Sequence, residues 1–117
     1  MLPAKRQSYS YPTTIPNGTA LSGVVSYHDH AYGLIHFPAV WTAADLGFQV
    51  SSELDGTYQP LYDDAGALVE IASPAADQTH AIPVEVLAAR FVKLWSQSGG
   101  AGVNQGADRD LIVDMKT

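Results

Sequence analysis

Leu46-Gly47-Phe48-Gln49-Val50-Ser51-Ser52-Glu53-Leu54-Asp55-Gly56-Thr57-Tyr58 is the stretch from which the fold can be read. Leu46, Phe48 and Val50 alternate with Gly47, Gln49 and Ser51, the two-residue period of a strand with one buried face. Asp55-Gly56 then supplies the turn chemistry for a hairpin that returns through Tyr58 and Leu61. The architecture expected is an antiparallel sheet protein of short strands. Such a chain has no room for a nucleotide-binding strand–helix–strand crossover, which removes most enzyme classes.

Working outward, a first strand is expected near Tyr9–Ile15, ending in the turn Pro16-Asn17-Gly18. Others follow around Ala20–Val25 and Ala31–Phe37, the latter stopped by Pro38. Thr42 to Asp45 has the Ser/Thr-x-x-Asp/Glu pattern of a capping box, so a single helical turn at 41–45 stands beside an ordinary loop. Beyond the hairpin at 46–62, Asp63-Asp64-Ala65-Gly66 reads as a second turn before a strand through Leu68 to Ile71. Residues 72–78 read as a loop, Thr79–Ile82 as a short strand, and Pro83 opens one turn of helix through Ala88. Strands at 90–96 and 110–115 complete the chain, separated by a flexible Gly99-Gly100-Ala101-Gly102 stretch. Eight or nine short strands at this spacing predict an all-β fold, an antiparallel β-sandwich of jelly-roll type. Residues 1–8 read as an extended arm and 9–117 as a single domain, with no internal repeat.

A chain of 117 residues is one domain by length, able to bury ~65% of its unfolded surface. Ten glycines and seven prolines lie scattered between apolar runs, as many tight turns require. There is no cysteine, which excludes disulfides, a thiolate nucleophile and Cys-ligated zinc. Lys5 and Arg6 are followed by polar residues and a proline, so no signal peptide is expected. No apolar run approaches the ~20 residues of a membrane helix, so no membrane partner is expected either. Lys5 and Arg6 are the only lysine or arginine before Arg90. Between them lie nine acidic residues: Asp29, Asp45, Glu53, Asp55, Asp63, Asp64, Glu70, Asp77 and Glu85. So acidic a body repels phosphate backbones and argues against nucleic acid. It reads as a solvated surface, with a basic partner as the alternative.

Candidate sites are few. His28-Asp29-His30 would place two imidazoles on one face if extended, with His36, His80 or a carboxylate as third ligand. A surface loop explains the triplet more simply. Asp55, Asp63 and Asp64 offer oxygen ligands of the calcium type, yet turn geometry accounts for aspartate at all three. No Gly-x-Ser-x-Gly elbow and no phosphate-binding loop occur, and a converging carboxylate pair is the one catalytic device left open. The chain is expected to be no enzyme and to hold no metal or cofactor. In 90–95, Val92 and Leu94 share one face while Phe91, Lys93 and Trp95 share the other. Both faces are partly apolar, so the second is either core or an interface. Trp41, in a loop after Pro38, poses the same choice. Lys5, Arg6, Tyr9 and Tyr11 of the arm, with Trp41, Phe91 and Trp95, are the candidate partner-binding residues.

Two resemblances can be placed on these residues. Phe48 to Ser52 followed by Asp55-Gly56-Thr57-Tyr58 resembles a hairpin of galactose-binding-like (discoidin-type) jelly rolls, and Ala89-Arg90-Phe91-Val92-Lys93-Leu94 resembles their late strand. The chain departs from that pattern in the inserted Glu53-Leu54, in its short length and in lacking a disulfide, so sugar binding does not follow. The closer likeness covers about 20–115. Gly33 to Thr42, then Phe48 to Ser51, and Val103-Asn104-Gln105-Gly106-Ala107-Asp108-Arg109 resemble a group of small virion proteins of tailed bacteriophages and prophages. That resemblance implies a non-enzymatic virion structural protein, assembled in the host cytoplasm. A capsid decoration (cement) protein of the head shell is its first form, contacting the major capsid protein or other virion proteins as a homo-oligomer, trimer favoured. The alternatives are a carbohydrate-binding or adhesion module for a host-surface glycan, and a neck, tail or fibre component.

Overall fold

In the computed structural model, which describes residues 8–26 and 30–117, short alternating segments pair into two antiparallel sheets. Lys5, Arg6, His28 and Asp29 lie outside the described residues. The strands are β1 (Ser8–Ile15), β2 (Leu21–Ser26), β3 (Tyr32–His36), β4 (Asp45–Ser51), β5 (Gln59–Pro60), β6 (Glu70–Ile71), β7 (Thr79–Ala81), β8 (Phe91–Ser98), β9 (Ala101–Gly102) and β10 (Arg109–Lys116). One 3-10 turn, Val84–Ala88, separates β7 from β8.

The first sheet runs β1-β10-β3-β7 and the second β2-β8-β4-β5, with β6 beside β4 and β9 beside β8. With β6 and β9 counted as extensions, consecutive strands cross between the sheets at every step except the β4–β5 hairpin. The first strand thereby comes to lie beside the last. This wrapped connectivity is that of a jelly roll.

Periodicity explains the layering. In β10, Leu111, Val113 and Met115 are buried, while Asp110, Ile112, Asp114 and Lys116 face outward. In β4 and β8, Leu46, Phe48, Val92 and Leu94 point inward as the two-residue period requires. They meet Ile15, Val25, Ile35, Phe37, Ile82 and Val86 in one core. Gly33 sits where a larger residue would collide: an added Cβ would come within 2.5 Å of Ile82 and 2.6 Å of Met115.

Ten strands form among the described residues where eight or nine were expected. The Gly-rich stretch at 99–102 is a tight hairpin instead of a flexible link. Gly99 and Gly100 take positive φ (59° and 88°), a conformation open to glycine at no steric cost, and Ala101–Gly102 then pair back onto Gln97 and Ser98. The helical turn at 41–45 does not form, because both halves of its capping box are engaged elsewhere. Thr42 Oγ1 accepts bonds from Gly106 N and Arg109, and Asp45 begins β4 with its carboxylate on Ser73 N at 2.7 Å. The turn after Pro83 forms where expected.

Candidate interaction face

The outer face of the first sheet is set by strand register. Reading across β1, β10, β3 and β7, its rows are Ser8–Lys116–Tyr32, Ser10–Asp114–Leu34–Ala81, Pro12–Ile112–His36–Thr79, and Thr14–Asp110. Three large apolar side chains stand in solvent on it: Tyr32 (63% exposed), Leu34 (45%) and Ile112 (43%). A groove of about 450 Å³ runs over β10 between Ser8/Ser10 and Tyr32/Leu34, with Asp114, Lys116 and the edge of Met115 also lining it.

A polar chain crosses the middle of this face. Ser10 donates to Asp114 Oδ1, His36 Nε2 lies 2.7 Å from Asp114 Oδ2, and His36 Nδ1 lies 2.8 Å from Thr79 Oγ1. The serine hydrogen bond above all, then the histidine, holds the Asp114 carboxyl below its ordinary value against the desolvation that would raise it. Thr79, His36 and Asp114 stand in the order hydroxyl, imidazole, carboxylate. They project from an open sheet, however, and Thr79 and His36 lie outside the groove.

The outer face of the second sheet is closed by contrast. Trp95, which alternates with the core residue Leu94, is only 6% exposed. Its ring packs beside Gly47, where an added Cβ would lie 3.1 Å away, and its indole nitrogen lies near Gly102. Gln97, buried on the same face, is bonded to Glu70 and to Gly100 N. Lys93 Nζ lies 4.6 Å from the Tyr58 ring centroid, and the Tyr58 hydroxyl donates to Leu54 O. Burial, then the nearby Asp55, raises the Tyr58 phenol above its usual value. Trp95 and Gln97 are thus buried beside the β8–β9 hairpin, Lys93 lies against Tyr58 of the neighbouring loop, and Phe91 is half-buried.

The remaining sequence candidates fall in separate places. Trp41 is half-buried, edge-on to Phe37 at 5.1 Å, and donates to Ala44 O, which makes it a plug at one end of the sandwich. Tyr11 OH is 2.9 Å from His30 Nε2, and Tyr9 packs on the same imidazole at 5.0 Å. Asp63 accepts from Ala65 N and Ala67 N, both at 2.9 Å, and so serves its turn. Among the described residues no three His, Asp or Glu side chains are grouped to hold a metal ion. A second groove, of about 430 Å³, lies between the 51–59 loop and Ala88/Arg90. It joins the two segments that carry the galactose-binding-like resemblance, and among the described residues neither Glu53 nor Arg90, both lining it, has an ion-pair partner.

Sequence reasoning named His36 only as a third metal ligand and passed over Asp114. The available signal was the alternation of Asp110, Ile112, Asp114 and Lys116 with buried neighbours. Its pairing with Ser10 and His36 requires the register of three strands.

No protein-family model matches the chain, and no curated protein matches it in sequence. Among solved structures it is similar to the crystal structure of the SPBc2 prophage-derived protein YomS, with a TM-score of 0.65 and 8% sequence identity. The match covers 100% of this chain and 99% of the other, so the whole sandwich is shared, end to end.

Proposed function

We propose that this chain is a non-enzymatic structural protein of a bacteriophage particle, and within the particle a decoration protein of the head shell. The observation that carries the reading is the unspent apolar area on the first sheet, where Tyr32, Leu34 and Ile112 stand in solvent around the hydrogen-bonded His36 and Asp114. Exposed apolar patches of this kind mark docking surfaces. The end-to-end likeness to a prophage-derived protein supports a phage origin. The expected partners are the major capsid protein or other virion proteins, met in the host cytoplasm and retained on the virion.

The test is binding of the purified protein to purified, undecorated shells. Saturable occupancy is expected, weakened by Leu34→Glu and left unchanged by Lys93→Glu on the closed sheet. Absence from shells together with binding to tails would move the protein to the neck, tail or fibre. Deleting residues 1–8 tests the arm in the same assay, and unchanged occupancy with unchanged stability would remove Lys5 and Arg6 from the interface.

One observation favours a second reading, a carbohydrate-binding or adhesion module. Glu53, Arg90, Gln59, Ser52 and Thr57 border a groove shaped by a loop that its own hydrogen bonds fix: Ser51 with Glu53, and Tyr58 with Leu54. Signal on a glycan array, lost in Arg90→Ala, would support it; a blank array would sink it.

A further inference from the structure

We propose that the outer face of the first sheet docks a second copy of this chain, in a twofold, face-to-face pair with the two β10 strands antiparallel. The inference rests on that face being an interaction surface, as proposed above, and names its occupant in the free protein: a pair closed face to face buries Leu34 and Ile112, so it opens before a copy docks on a shell. Among the described residues the outer strands β1, β2, β5 and β7 are poor templates for strand addition, which favours the faces as places to dock. β1 carries Pro12, whose ring leaves a gap in the outward ladder. β7 is three residues long, β5 is two and includes Pro60, and β2 shifts register between Leu21 and Val24. Short, proline-bearing and irregular edges are how sheets avoid edge pairing. Of the two faces, the second is covered by Trp95, Gln97, Lys93 and their partners. The first is not.

Charge selects the partner. Lys116 and Asp110 project from the same face near opposite ends of β10, six residues apart, or roughly 20 Å at ~3.3 Å per residue. A twofold axis lying across the strands near Val113 brings Lys116 of each copy over Asp110 of the other. The same patch then meets itself, as an isologous contact demands. Leu34 and Ile112 are diagonal neighbours in the register, so around that axis the four apolar side chains of the two copies alternate and interdigitate. At the centre Asp114 already accepts from Ser10 and is bonded to His36, whose other ring nitrogen meets Thr79, so these polar atoms have partners within their own sheet. The net charge of −6 on each copy opposes association, and its reach is limited to ~8 Å at physiological salt.

Size sets the strength. Four strands at ~4.8 Å spacing and up to eight residues long give a footprint of roughly 400–500 Å² per copy, at the low end for specific interfaces. The pair is accordingly weak in dilute solution and forms where copies are concentrated. It is an even-order assembly, in place of the trimer favoured from sequence.

Sedimentation velocity on the full chain from micromolar to millimolar concentration tests this, alone and with charge reversals. A reversible monomer–dimer shift is expected. Lys116→Asp and Asp110→Lys should each weaken dimerisation at least tenfold, and the double variant should recover most of it. Leu34→Glu should leave a folded monomer, checked by an unchanged far-ultraviolet circular dichroism spectrum. A chain that stays monomeric throughout, a trimer, or a dimer indifferent to both reversals would overturn the proposal. A monomeric chain that still saturates shells would overturn this pairing while leaving the function proposal standing.

Discussion

Gln105 is almost wholly buried (1% exposed) and ties the distant Thr42 to Ser96 and Arg109. Its Nε2 donates to Thr42 O at 3.1 Å and Ser96 Oγ at 2.8 Å, and its Oε1 accepts from Thr42 N at 2.9 Å and Arg109 Nε at 3.1 Å. Arg109 is itself 9% exposed and pairs with no carboxylate among the described residues, so this amide carries much of its solvation. Gln105→Ala leaves the Thr42 amide, the Ser96 hydroxyl and one guanidinium N–H without their partner. Each unsatisfied buried group costs about 1–3 kcal/mol, more beside a charge, and water entering the vacated space recovers part. A net loss of about 2–4 kcal/mol is expected. For a chain of this length that lowers Tm by roughly 8–20 °C, at about 4–5 °C per kcal/mol. Gln105→Met fills the volume without the polar atoms, so it should lose nearly as much; thermal melts at pH 7 give the Tm of both, and urea titration the free energy. A Tm drop below about 3 °C for either variant, or full recovery in the methionine variant, would refute the account, since packing alone would then hold this end of the sandwich.

Phe48→Ala removes a fully buried ring from the centre of the core and should cost about 3–5 kcal/mol, read from the same urea curves. Asp114, held below its ordinary carboxyl value by Ser10 and His36, contributes stability that is present above the unfolded-state value of about 3.9 and lost as pH falls through the lower folded one. Asp114→Asn should therefore lower the urea midpoint at pH 7, and the gap from the parent should close below about pH 4; a gap that persists at pH 2 would sink the assignment. Chelator should shift Tm by no more than a degree or two, because a ligand at a hundred times its dissociation constant contributes about 2.7 kcal/mol and its removal would be conspicuous in a melt.

The sandwich was legible because its signals are local. Alternation at 46–51 fixes the buried face of β4, and Pro16-Asn17-Gly18, Asp63 to Gly66 and Pro83 each mark a break that the chain makes. What escaped depends on contacts between distant segments. Gly99-Gly100 is as suited to a tight hairpin as to a loose link, and only Gln97 and Ser98, awaiting partners, decide between them. Thr42 and Asp45 satisfy a capping pattern locally, yet Gln105, Arg109 and Ser73 offer them better bonds. Trp95 and Leu34 exchange the roles their composition implies: the larger ring is roofed by a hairpin, while the leucine stands open. Which face of a sheet receives a roof is decided by loops, and no two-residue period carries that information.

The pairing of β1 with β10 joins Ser8 to Lys116 and Ile15 to Arg109, closing loops of roughly a hundred residues, the kind of contact that slows folding because its entropy is lost before its bonds are gained. The second sheet can assemble its β4–β8 pair once residue 98 has been made. The first sheet must wait for residues 109–116, since β10 is the strand on which both β1 and β3 rest. During synthesis the open face hence forms only after β10 has been made. A chain that has not yet made β10 has no face on which Leu34, Ile112 and Asp114 stand together, so any partner of that face would meet only chains in which the first sheet has closed.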